Sequence, residues 1–426
     1  MQGSGSRGRL FPESLMKEIR SKFLYVDACP YAGRRIFFDS ASGSLRLKQV
    51  VDVVQQEVAL PDQLARPSQG SKHAGEVMER GEDDVRVFIG AKSGVVVPDQ
   101  TATRAIFRFV TAAAAHFPGT NIVTTGAEHP SVYDSTWLAA QTFHKEWRVA
   151  PFDPATGVVT PESILDLVDK DTSVLVFLHG ANVTGAYMDA ATIVREARRI
   201  KDDLCVIIDG VQYAPHAPID VEEIQPDVYV IGPYKANCKK GIAFAWLSDR
   251  FSVIPHDKLR GKKANDWVIG SVDHADYAAW STTVDYFCWL GRHFTSSKDR
   301  RQQVLAAMTA IEAHEMALLD RLLEGSSKTR GLRRIDRVTL YCLKEPIARR
   351  ACLIPFNIRG VATEKVVKAF VEKGIAISAR WSDAYSRHVL SVLGTEAVVR
   401  LSACHYTSPE EVDSFLLTTE EVCESL

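Results

Sequence analysis

The sequence predicts an α/β fold, with a large domain built on a mostly parallel sheet and a smaller α+β domain after it. Three observations carry that prediction. Between about residues 85 and 247, short apolar runs alternate with helical patterns, the order that gives strand–helix–strand units. The runs are apolar throughout rather than at every second position, as strands covered on both faces require. At 426 residues the chain is also long enough to divide into two domains.

The elements follow in order. The first ten residues are rich in Gly, Ser and Arg and are expected to be disordered. A helix is predicted over 12–23, then an extended IFFDSASGS segment. The clearest strands are NIVTTG, EWRVAPF, SVLVFLH, LCVIID, VYVIG and GIAFAWL, with helices over 161–169 and 190–200 among those between them. Pro161 suits a first helical turn, where its missing N–H costs nothing. A long charged amphipathic stretch, about 298–323, is suited to a helix linking two domains. The remainder reads as RVTLYCL, ARRACLIPFNI, a helix around 364–373, GIAISARW, AVVRLSACHY and a closing helix opened by Ser408-Pro409-Glu410-Glu411. The expected division is an N-terminal segment (1–35) packing with the small domain, a large domain (36–300) and a small C-terminal domain (301–426).

Composition narrows the function. Lys+Arg 51 against Asp+Glu 53 leaves a formal charge of −2, which gives no reason to expect a nucleic-acid or membrane-surface partner. The eight cysteines are scattered, with no CxxC pair and no metal-ligand spacing; no metal is expected, and reduced, mostly buried thiols are. The opening MQGSGSRGRLFPES has no apolar core for a secretory signal. The most apolar stretch, TATRAIFRFVTAAAAHF, is broken by Arg104 and Arg108, too short and too charged for a membrane span. A cytoplasmic protein is expected. No GxGxxG follows an early strand, which removes the dinucleotide-binding reading.

The residues that bear chemistry fall at strand ends. LCVIID ends in Asp209, and 26 residues on (235 − 209) VYVIGPYKANCKKG carries Lys235. A lysine that can form a Schiff base, with an acid able to keep a pyridine nitrogen protonated, is what pyridoxal 5'-phosphate (PLP) chemistry needs. His179 and Asn182, Asp209 and Gln212, and Lys235 all lie just beyond predicted strands, where ligands of parallel sheets bind.

The ordered set FFDSASGS, QTATRAIF, TTGAEHPSVYDS, HGANVTG, IIDGVQ, GPYKANCKKG, GSVDH and VVRLSACHY resembles the aminotransferase class V family of fold-type I PLP-dependent enzymes, in its cysteine desulfurase-like branch. That resemblance covers nearly the whole chain and implies a seven-stranded-type sheet, a PLP cofactor and a small α-amino acid as substrate. It further implies a homodimer with an active site shared across the interface. Lys235 would carry the cofactor, Asp209 would pair with its ring nitrogen, and Gln212 and Asn182 would contact its phenolic oxygen. His129 would stack on the ring. Ala102 and Thr103 would begin the phosphate-binding helix, Tyr234 would stand at the ring edge, and Ser271 would reach the neighbouring subunit's phosphate. Arg400 would grip the substrate carboxylate, with Arg380 and Trp381 shaping the pocket.

The chain departs from the family at three places. Gly232, Pro233 and Tyr234 stand where Ser-x-His normally precedes the lysine. ANCKK follows it in place of a Gly-Pro pair. Asp383, in GIAISARWSDAYS, stands about where desulfurases carry the cysteine that forms a persulfide. An aminotransferase-type or C–S/C–C lyase-type reaction is therefore expected. Sulfur release without a persulfide cysteine, epimerisation and an inactive dimeric scaffold are the alternatives.

Overall fold

The computed structural model describes residues 8–426; most of the Gly/Ser/Arg-rich opening lies outside the described residues. We number the strands of its two main sheets in chain order. The large sheet has β1 (Val95–Asp99), β2 (Asn121–Thr125), β3 (Glu146–Ala150), β4 (Thr172–Leu178), β5 (Cys205–Asp209), β6 (Val228–Ile231) and β7 (Ala243–Leu247). Their spatial order is β1-β7-β6-β5-β4-β2-β3. Six strands run in one direction, and β7, between β6 and β1, runs against both. The six strands legible in the sequence are all present. β1 is the addition, and Pro98 within VVVPD masked it. Proline cannot donate to a ladder and is confined to sheet margins, which is where β1 lies.

β4, β5, β6 and β7 are buried at every residue, which explains their unbroken apolar sequence. Helix α1 (Ala102–His116) packs on the sheet through Ala105, Ile106, Phe109 and Val110, and helix α2 (Pro130–Thr142) packs beside it. Strand order reverses between β2 and β4, and such a switch point opens a crevice at the strand ends.

A second sheet holds β8 (Val338–Leu340), β9 (Leu353–Ile358), β10 (Ser378–Trp381) and β11 (Ala397–Ser402), ordered β8-β9-β11-β10 and antiparallel throughout. Helix α3 (Arg300–Glu324) joins the two cores. Val304, Ala307, Met308 and Ile311 belong to the large one, and Leu318, Leu319, Leu322 and Leu323 to the small one. Its N-cap Asp299 accepts from the Gln302 amide. The closing helix α4 (Pro409–Ser425) starts on a full capping box between Ser408 and Glu411. Near the N-terminus, the helix Glu13–Ser21 buries Leu15, Met16 and Ile19 in the large core, while Arg20 pairs with Glu411 of α4.

Candidate active site

A cavity of about 360 Å³ opens beyond the carboxyl ends of β2, β4 and β5. His129, Asn182, Asp209, Gln212, Tyr234, Lys235, Ala102 and Thr103 all line it. Eight of the twelve residues that the resemblance assigns to the site therefore converge on one space, although they are spread over 134 positions (235 − 102 + 1), whereas His179 turns away to Tyr229.

Each strand end delivers its side chain for a local reason. β2 runs into the turn before α2, where His129 is the N-cap and its Nδ1 accepts from the Ser131 amide at 3.1 Å. That bond places the imidazole proton on Nε2. Burial, and after it the positive charge of Lys235, pull the His129 pKa down to about 3, so the ring is neutral. At the end of β5, Asp209 accepts from the Val211 amide at 3.0 Å and from Ser131 Oγ at 3.3 Å. Burial raises its pKa, against the pull of the Val211 amide and of Lys235.

Lys235 is buried and donates from Nζ to Gln212 Oε1 at 2.7 Å. Burial chiefly, and Arg400 next, lower its pKa to about 7, with Asp209 acting in the opposite direction. An amine of that pKa exists in both protonation states near neutrality. Asn182, just beyond β4, has a buried Oδ1 with no hydrogen-bond partner.

The lysine loop accounts for two of the three departures. A Cβ added to Gly232 would lie 2.9 Å from Val211 Cγ1, so a serine cannot occupy this position without moving Val211. The ANCKK segment meets its backbone needs with Asn237, at φ 67°, and Gly241, at φ 89°. Asparagine is among the few residues that take the left-handed conformation at low cost. Asn237 is also tied to Ser44 Oγ and to the Leu45 carbonyl.

α1 begins at the cavity, capped by Thr101, whose Oγ1 accepts from the Arg104 amide. Its first turn offers free N–H groups to an anion. The Arg104 side chain is exposed and turns to Gln100 and Asp99. Lys240, Ser42 and Tyr385 also line the cavity. Ser42 lies in FFDSASGS, Tyr385 in GIAISARWSDAYS and Lys240 in the ANCKK segment, but nothing in those stretches marks these three residues out from their neighbours.

Four expected residues stand outside the lining. Arg400, on β11, is fully buried and donates to the Asn182 carbonyl at 2.9 Å, to Ser42 Oγ and to Asp39. Arg380 is on β10, and Trp381 beside it is half exposed. Ser271 lines a separate groove of about 1000 Å³ along the exposed side of α1, which shares Gln100, Thr103, Gly241 and Ile242 with the cavity. Asp383 takes part in a turn, its Oδ1 accepting from the Tyr385 amide at 2.8 Å. No cysteine lines the cavity among the described residues, and all eight are free, with only Cys29 less than fully buried.

A doubly wound sheet with a buried lysine, an acid and a neutral histidine at its switch point is the architecture of a PLP-dependent enzyme. The chain belongs to the aminotransferase class-V family, whose model matches residues 36–279 and 301–415. An aminotransferase-like protein, FGM3, of Gibberella zeae is 26% identical over 96% of this chain and 98% of its own length. A probable cysteine desulfurase of Mycolicibacterium paratuberculosis is 26% identical over 95% of this chain, which spans 58% of that protein. The fold is that of the Escherichia coli cysteine desulfurase CsdA, with a TM-score of 0.78 at 20% identity over 98% of this chain and all of the other. A cysteine desulfurase of Thermococcus onnurineus gives 0.77 at 19%, covering 92% and 95%.

Enzymes of this family use PLP, and the residues present fit it. The Asp209 carboxylate, the side-chain amide of Asn182 (a donor through Nδ2), the free N–H groups at the start of α1 and the Lys240 ammonium supply the kinds of group its ring nitrogen, ring oxygen and phosphate require. No helix among the described residues is long and apolar enough to cross a membrane.

Proposed function

We propose that Lys235 carries the cofactor and that the enzyme acts at Cα or Cβ of a small α-amino acid, by an aminotransferase-type or C–S/C–C lyase-type reaction. The observation that carries this reading is the position of Lys235 Nζ: buried in the cavity, bonded to Gln212, and drawn down to about 7. When bound, PLP supplies an aldehyde that captures an amine and a ring that takes up electrons from Cα.

The chain's own residues do the rest. Lys235, once free, takes the proton from Cα and returns it, because an amine of this pKa is both base and acid near neutral pH. Asp209 holds a proton at the ring nitrogen, and burial strengthens that contact. Asn182 orients the ring by donating from its side-chain amide to the ring oxygen, Gln212 lies beside it holding Lys235, and the neutral His129 covers its face. Ala102 and Thr103, with Lys240, hold the phosphate, and Tyr234 stands beside the lysine. Arg400 grips the substrate carboxylate by its fork of donors, and Arg380 and Trp381 border that end.

Two further parts complete the proposal. The groove along α1, with Ser271 on its wall, adjoins the cavity and is the surface a second copy of this chain would cover, making the working form a homodimer. The turn around Asp383 offers no thiol to receive sulfur, which favours transamination or elimination over persulfide transfer.

The test is borohydride reduction of the PLP-loaded protein followed by peptide mapping, then incubation with individual amino acids. A reduced adduct on Lys235, and conversion to a keto acid or an eliminated product, is the expected result. An adduct on another lysine, or none, would remove Lys235 from the centre of the reaction.

A further inference from the structure

A row of buried polar side chains runs from Lys235 away from the cavity into the core, and the chemistry above uses only its first two members. Lys235 Nζ donates to Gln212 Oε1 at 2.7 Å; Gln212 Nε2 meets His216 Nε2 at 3.2 Å; His216 Nδ1 meets Glu315 Oε2 at 2.7 Å. The four residues are 6%, 4%, 3% and 3% exposed. Glu315 comes from α3, the helix that joins the two cores.

Donor and acceptor roles propagate along this row. A lysine ammonium has donors only, so it requires the oxygen end of the Gln212 amide. The nitrogen end then faces His216, whose Nε2 must accept. The imidazole proton is therefore on Nδ1, where it donates to Glu315. Reversing the amide turns its oxygen to His216 Nε2, which must then donate: Lys235 would have one proton fewer and the His216–Glu315 pair one more.

We propose that His216 and Glu315 are positioning residues for Lys235: their hydrogen bond fixes which end of the Gln212 amide faces the amine, and so couples the proton on Lys235 to the charge on Glu315. The proposal rests on Lys235 being the reactive amine. Cys404 lies beside the pair, and its sulfur and the ligand atoms of His216 and Glu315 all fall within 4.8 Å of one another. A tetrahedral zinc would hold such atoms about 3.3 Å apart, so the 2.7 Å separation of His216 and Glu315 is a hydrogen bond.

The other groups facing the row are fixed in kind. Asp209 and Asp39 favour the charged lysine, while Arg400 and Arg380 oppose it. Glu312, Cys404, Cys352 and Tyr187 face Glu315, and His405 faces His216. None of them bonds to Gln212, which leaves His216 as the group that can hold its amide in place.

The experiment measures the protonation midpoint of Lys235 by trace acetylation across a pH series, read by mass spectrometry in cofactor-stripped protein. The absorbance titration of PLP-loaded protein accompanies it. Glu315→Gln, which keeps the shape, and His216→Phe should each lower the Lys235 midpoint by about one pH unit, a tenfold change. Gln212→Leu should produce the same shift, and adding Glu315→Gln to it should change nothing more. Melting curves identify any variant that has merely lost its fold, and Glu315→Gln and Gln212→Leu then decide between them. An unchanged midpoint, or a further shift from Glu315→Gln in the Gln212→Leu background, would overturn the proposal. If the midpoint shifts while wild type forms no PLP adduct, the relay stands and the carrier role of Lys235 falls.

Discussion

Arg400 and Arg380 project from the same face of two neighbouring antiparallel strands. Ser378 pairs with Arg400 and Arg380 with Val398, and residues two apart on a strand share a face. Both guanidinium groups keep a buried Nε without a partner. Burial first, then the charge of Arg380, lowers the Arg400 pKa to about 9, and Asp39 is the one carboxylate bonded to it among the described residues. An incoming carboxylate relieves both strains. Arg400→Ala should raise KM for an amino-acid substrate by about ten- to a hundredfold with a smaller change in kcat, and Arg380→Gln should have a lesser effect. Initial-rate kinetics check this, and an unchanged KM in Arg400→Ala would mean that the substrate carboxylate binds elsewhere.

The low pKa of Lys235 also sets a dependence of stability on pH. Between about 7 and the ordinary 10.5, the unfolded chain holds a proton that the folded chain has released. Raising the pH through that window therefore stabilises the folded state, and below about 7 the full cost of the buried charge is present. Methionine at this position has no charge to bury. Cofactor-free Lys235→Met should accordingly exceed cofactor-free wild type in stability near neutral pH. That margin should shrink towards pH 10, by roughly 1.4 kcal/mol at most for each unit crossed. Urea unfolding of both proteins at several pH values measures the margin; one that did not change with pH would show that Lys235 titrates normally.

Gly232 is held by Val211. Gly232→Ser should destabilise the protein by about 1–3 kcal/mol, the usual cost of overpacking, and Val211→Ala in the same chain should recover most of the loss. Thermal unfolding of the wild type, the single and the double variant settles this. A serine tolerated without the second change would mean that Val211 shifts freely.

The sequence revealed most of the large sheet because its strands are buried on both faces, so each appears as an uninterrupted apolar run. β1 escaped because Pro98 looks like a breaker, and only its marginal place in the sheet allows it. Lys235, Asp209, Gln212, His129 and Asn182 were legible because each follows a strand, and strand ends converge. Lys240, Ser42 and Tyr385 were not, since a loop residue's direction is set by neighbours remote in sequence. Glu315 lay deeper still: it sits on an amphipathic helix as an ordinary acid, and only folding brings it within 2.7 Å of His216.

Residues 232–242 connect β6 to β7, which pair directly with each other from Ile231 and Phe244 onward. The lysine thus rides on the bend of a hairpin whose two arms lie inside the sheet. Where the bend sits is decided by strand pairing and not by what the bend is made of. A change within the bend therefore acts on the bend's own packing, as at Gly232, while the paired arms keep the amine in register.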